Sequence, residues 1–333
     1  MDTRQWTKEE FLKTSSFYWQ TCTLHAGVKL DIFSIIDSGS LSAQEISEQT
    51  ESDPRNLSIL LNALTAMELL IHEEGSYSNT PDGAQYLSKT SPDYIGFIIM
   101  HHQNLLDSWN NMPMAVTSGK PVRTRANQAT DSQRESFLMG MFNLAMSSAP
   151  GVAKKLDLSE CSRLLDLGGG PGTYAIHFCL ANPQLAAHVF DLPSSRSFAE
   201  KTIKRFNISD RVEFIQGSFL DKDFPVKEKY DAAWLSHILH GEGPEDCNKI
   251  IENAVSVLKP GGKIFIHEFI LNNSMDGPLF PTLFSINMMV GTEKGQAYSE
   301  KQLCYMLQNN GVKNIQRIDY TGPSQSGIIS GLV

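Results

Sequence analysis

The residues with the clearest chemical reading lie in Arg163-Leu-Leu-Asp-Leu-Gly-Gly-Gly-Pro-Gly172-Thr-Tyr-Ala175. Four glycines and a proline occupy the five positions 168–172. A strand that turns into a helix through such backbone leaves amide N–H groups and a helix N-terminus facing a ligand. Gly168, Gly170 and Gly172 therefore read as a cradle for a nucleotide-like cofactor. A bare turn would not need four glycines, each of which surrenders more backbone freedom on folding than other residues do. Asp191 follows about twenty residues later, at the end of the next predicted strand, where an acid accepts hydrogen bonds from ribose hydroxyls. These features admit either a nicotinamide dinucleotide or S-adenosylmethionine (SAM). Gly168-x-Gly170-x-x-Thr173 lacks the third glycine of the dinucleotide fingerprint, whereas Gly170-Pro-Gly172-Thr-Tyr-Ala175 fits the looser G-x-G-x-x-A.

The elements around this turn alternate. Strands are predicted at 163–167, 186–190, 211–216, 230–235 and 263–270, with helices at 173–181, 195–206, 244–258 and 299–310. Two more strands, 312–320 and 326–332, close the chain. Alternating β and α elements specify a parallel sheet covered by helices on both faces, hence an α/β fold. Lys259-Pro260-Gly261-Gly262 reads as a helix stop and turn before the fifth strand.

The N-terminal third is different. Phe11, Phe17, Tyr18, Leu24, Val28, Leu30, Ile32, Phe33 and Ile36 recur at helical spacing. Ser42 and Glu45 stand three apart as in a capping box, and Asp53-Pro54 opens a helix whose apolar face is Leu57, Leu60, Leu61, Leu64 and Met67. A hairpin turning near Glu74-Gly75 follows. Helices followed by a hairpin suggest a winged helix. Its would-be recognition helix, 54–68, has one Arg and no Lys, too few cations for phosphates, so the leucine face reads as a packing or dimer surface. The hydrophobic surplus of 10–36 calls for a partner subunit or for burial against a second domain. Further helices are expected over 93–150, joined around Ser118-Gly119-Lys120-Pro121, with a polar middle from Arg123 to Arg134. The apolar run through Phe142 and Met146 suits either core or a small-molecule pocket.

Composition narrows the class. The 333 residues suit about two domains. A net charge of -9 argues against nucleic acid or an anionic membrane as the main partner. No apolar run approaches the ~20 residues of a membrane span. The N-terminus lacks the basic-then-apolar pattern of a signal peptide. The five cysteines are scattered without Cys-x-x-Cys, so a cytoplasmic protein with reduced thiols is expected. His101-His102 and His267-Glu268 are adjacent pairs that do not converge as ligands, so no metal is expected.

Five segments occur in a telling order: Leu-Leu-Asp-Leu-Gly-Gly-Gly-Pro-Gly172; Val-Phe-Asp-Leu-Pro193; Val-Glu-Phe-Ile-Gln-Gly-Ser-Phe219; Tyr-Asp-Ala-Ala-Trp-Leu-Ser-His-Ile-Leu-His240; and Leu-Lys-Pro-Gly-Gly-Lys-Ile-Phe-Ile-His-Glu268. Together they resemble the SAM-dependent O-methyltransferases of the plant caffeate and hydroxyindole type and their bacterial natural-product relatives, over nearly the whole chain. The resemblance implies a Rossmann-like SAM-binding sheet over 96–333, with its helical linker, and a winged-helix dimerisation domain over 1–95. It implies a homodimer acting on a small, aromatic hydroxyl compound, with no nucleic-acid or membrane partner.

It also implies roles for residues. His240 matches the family's general base, in Ile238-Leu239-His240, and Glu268 matches the carboxylate that orients it. Cofactor contacts carry over to Asp166, Gly168, Gly170, Gly172, Asp191 and Leu192, to Ser218-Phe219 in place of an Asp-Met or Asp-Phe pair, and to Ser236 in place of a lysine. Pocket residues are expected from 100–146 and 280–298: Phe142, Met146, Phe284, Asn287 and Met288, with His237 as a competing base. Gly241-Glu242-Gly243 departs from the family's Asp-Trp, and Ile328-Ile329-Ser330 carries no second glutamate. Three alternatives stay open: a family member using SAM without methyl transfer, a SAM-sensing winged-helix regulator, and a nicotinamide dehydrogenase.

Overall fold

Capping chemistry sets most helix starts in the N-terminal part. Thr7 and Glu10 close a capping box on α1 (Lys8–Ser16), which is followed by α2 (Tyr18–Lys29) and α3 (Ile32–Ile36). β1 (Leu41–Ser42) leads into α4 (Ala43–Thr50), where Ser42 and Glu45 cap each other as expected. Asp53 accepts the Asn56 N–H at the start of α5 (Pro54–Ala66). β2 (Leu70–Glu73) and β3 (Ser76–Asn79) are joined by Glu74 at φ 50° and Gly75 at φ 82°. Two left-handed residues make the tight turn that matches strand twist. α6 (Pro81–Leu87) and α7 (Gly96–Asn110) follow. The strands pair antiparallel in the order β1-β3-β2. Val28, Ile32, Phe33, Ile46, Leu57, Leu61, Leu64 and Tyr77 form the core beneath them. The expected apolar face of 10–36 thus divides: its second half is core, while Phe11, Phe17, Tyr18 and Trp19 stand exposed.

The computed structural model describes residues 5–123, 130–221 and 224–333. Residues 124–129 of the polar stretch read between Arg123 and Arg134 lie outside those described. The chain divides into two compact units, Met1–Leu105 with Glu135–Gly140, and Leu106–Arg134 with Met141–Val333. No helix among the described residues is long and apolar enough to cross a membrane.

The second unit contains α8 (Met112–Ser118), most of α9 (Asp131–Met146) and α10 (Ala149–Lys155). The alternating part then runs β4 (Arg163–Leu167), α11 (Thr173–Ala181), β5 (Ala186–Asp191), α12 (Arg196–Arg205), β6 (Val212–Gln216), β7 (Tyr230–Ser236), α13 (Pro244–Ser256) and β8 (Leu258–Glu268). It ends with α14 (Leu279–Gly291), α15 (Glu300–Asn309), β9 (Lys313–Ile318) and β10 (Gly327–Leu332). The sheet order is β6-β5-β4-β7-β8-β10-β9, parallel from β6 through β8, with β10 antiparallel to both of its neighbours.

Both sheet faces are apolar, as a doubly covered sheet requires. Leu165, Leu167, Ala233, Leu235, Ile264 and Ile266 pack with α13 and α15 on one face. Leu164, Ala232, Trp234 and Phe265 pack with α10 and α11 on the other. Chain direction across the sheet reverses at β4, so a crevice opens beyond the carboxyl ends of β4 and β7, where ligands of such sheets bind.

Two readings of the sequence need correction. Lys259-Pro260-Gly261-Gly262 is not a turn before the strand but part of it. Leu258 already pairs with Tyr230, and the register shifts before Lys263 pairs with Ala232. Gly261 at φ 79° absorbs the resulting bulge, and its N–H bonds the Val333 carbonyl at 2.7 Å. The second correction is α14, a helix for which the sequence reading made no provision.

Candidate active site

The glycine turn begins where β4 ends. Gly168, Gly170 and Gly172 have φ of 72°, 51° and 78°, conformations that L side chains rarely adopt. A Cβ on Gly168 would fall 2.4 Å from Ile238 Cγ2. Gly172 opens α11 with no side chain of its own to cap it, leaving the Thr173 and Tyr174 N–H groups without an acceptor among the described residues. Asp191, at the end of β5, accepts N–H bonds from Gly170 (2.7 Å) and Leu192 (2.6 Å) and a hydroxyl bond from Ser195 (3.1 Å). It therefore holds the turn while keeping lone pairs for further donors. Burial raises its carboxyl, partly offset by those bonds.

Asp166 is fully buried under the turn, with Oδ2 accepting the Ala175 N–H at 3.2 Å and Oδ1 unpartnered among the described residues. Burial pushes its carboxyl up to about 7. A Cβ on Gly169 would lie 2.6 Å from the Asp166 carboxylate, so this acid supports the turn from beneath. A side-chain-free cradle, a helix start opened by a glycine, an acid at the β5 end and an orphaned buried oxygen fit a nucleoside cofactor. Of the remaining expected contacts, Leu192 is exposed. Ser218 Oγ accepts the Leu220 N–H, and Phe219 is half-buried against the core. Ser236 Oγ meets His267 Nδ1 at 3.1 Å.

The second half of the site follows β7. The Ser236–His267 register places the ends of β7 and β8 side by side. Along β8 successive side chains point to opposite faces. His267 turns toward Ser236 and Ser326, and burial holds its imidazole well below the ordinary range. Glu268 turns to the short 3₁₀ segment Leu239–Gly241. Its Oε1 accepts the N–H groups of Leu239 (3.0 Å) and His240 (3.3 Å), and its Oε2 meets His240 Nδ1 at 2.8 Å. A carboxylate only accepts, so Nδ1 carries the proton that faces Glu268, and Nε2 is the ring nitrogen left for proton transfer. Burial would raise the Glu268 carboxyl, but His240, through its charge when protonated and its hydrogen bond, and the neighbouring His237 outweigh it and hold it well below the carboxylate range.

His237 joins this group, which its sequence position alone did not settle. Its Nδ1 lies 3.5 Å from Glu268 Oε2, outside good hydrogen-bond geometry. Its backbone has φ 55°, uncommon for a residue with a side chain, and its N–H bonds the His267 carbonyl at 2.9 Å. Ile238, between the two histidines, is the residue that packs on Gly168, so the two halves of the site touch. His237, His240 and Glu268 also place donor atoms within 4.8 Å of one another, a spacing that a metal ion could bridge. The adjacent pair His267-Glu268 does not converge, as expected.

A wall of phenylalanines faces His240. Phe284 on α14 lies 4.7 Å from its ring in an edge-on arrangement, and Phe269 lies 4.6 Å from Phe284 and 5.0 Å from Phe280. Asn287 is on the same helix, its Oδ1 accepting from Trp109 Nε1 (3.3 Å) and Arg123 Nη2 (2.7 Å), and Met288 is buried. Phe142 and Met146 have other neighbours. The ring of Phe142 pairs with Phe206 at 6.4 Å, and Met146 Sδ meets His177 Nε2 at 3.3 Å. Phe269, Phe280, Trp109 and Arg123 were not foreseen. The signal for Phe269 and Phe280 was an aromatic cluster close after Glu268; for Arg123 and Trp109 there was none.

Residues 103–313 match the O-methyltransferase domain, and residues 12–89 match the O-methyltransferase dimerisation domain. The 3-hydroxy-5-methyl-1-naphthoate 3-O-methyltransferase of Streptomyces sahachiroi is 30% identical over 320 residues, covering 94% of this chain and 92% of that protein. An O-methyltransferase family protein from Burkholderia thailandensis has the same fold at TM-score 0.88 and 27% identity, over 99% of this chain and 98% of its own. PigF of Serratia sp., solved with SAH, superposes at TM-score 0.88 and 23% identity, over 98% of this chain and 100% of its own.

Proposed function

This chain belongs to the SAM-dependent O-methyltransferases of small molecules, and from that membership we propose that it methylates a hydroxyl of an aromatic acceptor with His240 as general base. SAM, when bound, supplies a methyl group on a sulfonium that leaves readily. Gly168, Gly170, Gly172 and Asp191 would hold it, with Leu192, Ser218, Phe219 and Ser236 around them and Asp166 supporting the turn.

The protein's own task is alignment and proton removal. Phe269, Phe280 and Phe284 offer ring faces to a flat acceptor. An ordinary imidazole falls roughly 3.5 pKa units short of an ordinary phenol, a gap of ~5 kcal/mol. The Glu268 carboxylate stabilises the imidazolium charge that develops at His240 as the acceptor's proton is taken. The observation that carries the reading is this pair: a fully buried carboxylate, fixed by two backbone N–H groups, 2.8 Å from His240 Nδ1. The naphthoate methyltransferase relative is named for an aromatic hydroxyl acceptor, which supports the same class.

The dimerisation-domain match supports a homodimer. We assign that role to residues 1–95, read as a winged helix, and catalysis to 96–333, in a cytoplasmic enzyme. One observation favours a second reading, SAM-dependent chemistry without methyl transfer. Gly241-Glu242-Gly243 replaces the expected Asp-Trp, and the Glu242 carbonyl is taken up by the Tyr298 hydroxyl at 2.5 Å. Mass analysis of products from a panel of naphthols and hydroxybenzenes, incubated with SAM, separates the two. A gain of one methyl group supports O-methylation; a product without that gain refutes it.

A further inference from the structure

Arg123 is half-buried, and its hydrogen bonds go to a neutral residue. Nη2 donates to the Asn287 side-chain oxygen at 2.7 Å and to its carbonyl at 3.4 Å, while Nε has no acceptor among the described residues. No carboxylate forms an ion pair with it among the described residues, and burial alone weakens its hold on the proton. It is nevertheless held firmly. The N–H groups of Val122 and Arg123 both bond to the Val290 carbonyl at 3.0 Å, and a Cβ on Gly291 would fall 2.8 Å from the guanidinium carbon. Burying a cation without a counter-charge is costly, and a bond to an amide does not neutralise it.

Its position relates it to the reacting centre. Phe284, Asn287 and Gly291 are spaced i, i+3, i+7 and share one face of α14. Phe284 touches the His240 ring at 4.7 Å, and just past the helix a Cβ on Gly295 would lie 2.6 Å from the His240 carbonyl oxygen. Arg123 meets α14 between these two points. Asn287 and Gly291 lie ~4.5 and ~10 Å along the helix from Phe284.

Resting on the methyl-transfer reading above, we propose that the acceptor is an aromatic hydroxy acid, its hydroxyl at His240 and its carboxylate paired with Arg123. The planar guanidinium matches a carboxylate in shape as well as charge. Asn287 is a positioning residue, since its side-chain oxygen already accepts from both Arg123 and Trp109. A neutral phenol would leave the cation uncompensated.

The test uses the full chain loaded with SAH and titrates two probe pairs by calorimetry: 6-hydroxy-2-naphthoate with its methyl ester, and 4-hydroxybenzoate with its methyl ester. The wild type is expected to bind at least one acid tenfold or more tighter than its ester. Arg123→Gln should remove that preference by weakening the acid alone, Arg123→Lys should keep part of it, and SAH affinity should stay the same in all three. Equal binding of acid and ester by the wild type, or no binding of either acid, overturns the proposal. So does equal weakening of acid and ester by Arg123→Gln, which is the signature of a clamp on α14. Methyl transfer from SAM is read on the same probes. Arg123-dependent acid binding without methylation would sink the methyl-transfer reading and leave the carboxylate site standing. Methylation of esters and acids alike would do the reverse.

Discussion

Glu268→Gln isolates the charge on which the proposed base depends. The substitution keeps the shape and an oxygen able to accept the Leu239 and His240 N–H groups, but removes the negative charge beside His240 Nδ1. Stabilisation of the imidazolium charge that develops at His240 goes with it, within the roughly 10²- to 10⁴-fold range of a positioned general base. That charge exists only once the acceptor's proton has been taken, so the loss falls on the transition state rather than on binding. Proton transfer is partial at that point, so kcat should fall about 10²- to 10³-fold at pH 7, with KM and SAH affinity within about twofold. Steady-state transfer of labelled methyl groups and SAH calorimetry read the two quantities separately. The gap between variant and wild type should narrow as the pH approaches ~10, where a phenol ionises unaided. The carboxyl is held below its ordinary range in the fold. Its contribution to stability is therefore full above about pH 5 and lost as the pH falls below ~4, and the difference in Tm should shrink there. A kcat within tenfold of wild type at pH 7, or a gap independent of pH, would refute the reasoning.

Two further outcomes follow from the glycine turn. Gly168→Ala puts a Cβ 2.4 Å from Ile238 Cγ2 on backbone at φ 72°. It should cost ~1–3 kcal/mol, visible as a lower Tm, and weaken SAH binding; Gly241→Ala, whose Cβ meets nothing within 4 Å, should leave Tm unchanged. Asp166 stays protonated to about pH 7 in the fold because it is buried, whereas the unfolded chain ionises near ~4. The cofactor-free protein should therefore lose stability as the pH rises from 4 to 7, by up to ~4 kcal/mol, and Asp166→Asn should flatten that decline in Tm. Parallel slopes for variant and wild type would remove Asp166 as its source.

The parts of this protein legible in its sequence are those where local chemistry dictates conformation. Ser42 with Glu45, and Asp53 before Pro54, announce helix starts because their side chains satisfy the first N–H groups. Gly168, Gly170 and Gly172 announce positive φ because few other residues adopt it. α14 gave no such signal: Leu279–Gly291 is apolar nearly throughout, so it shows no 3.6-residue alternation. Gly261 has the positive φ of a turn but spends it on a strand bulge, and only the pairing of Leu258 with Tyr230 reveals this. His237 occupies a glycine-like conformation that its residue type does not advertise. Arg123 meets Asn287 across 164 positions of sequence, a contact that exists only in the folded chain.

The most direct test of the account is single-turnover methyl transfer by His240→Ala, with SAH affinity measured alongside. The acceptor is whichever aromatic hydroxyl compound the wild-type enzyme methylates. The account predicts a fall in rate of at least ~10²-fold at pH 7, recovering toward pH 10, with SAH bound as tightly as by wild type. An unchanged rate with intact cofactor binding would contradict it and remove His240 from the chemistry.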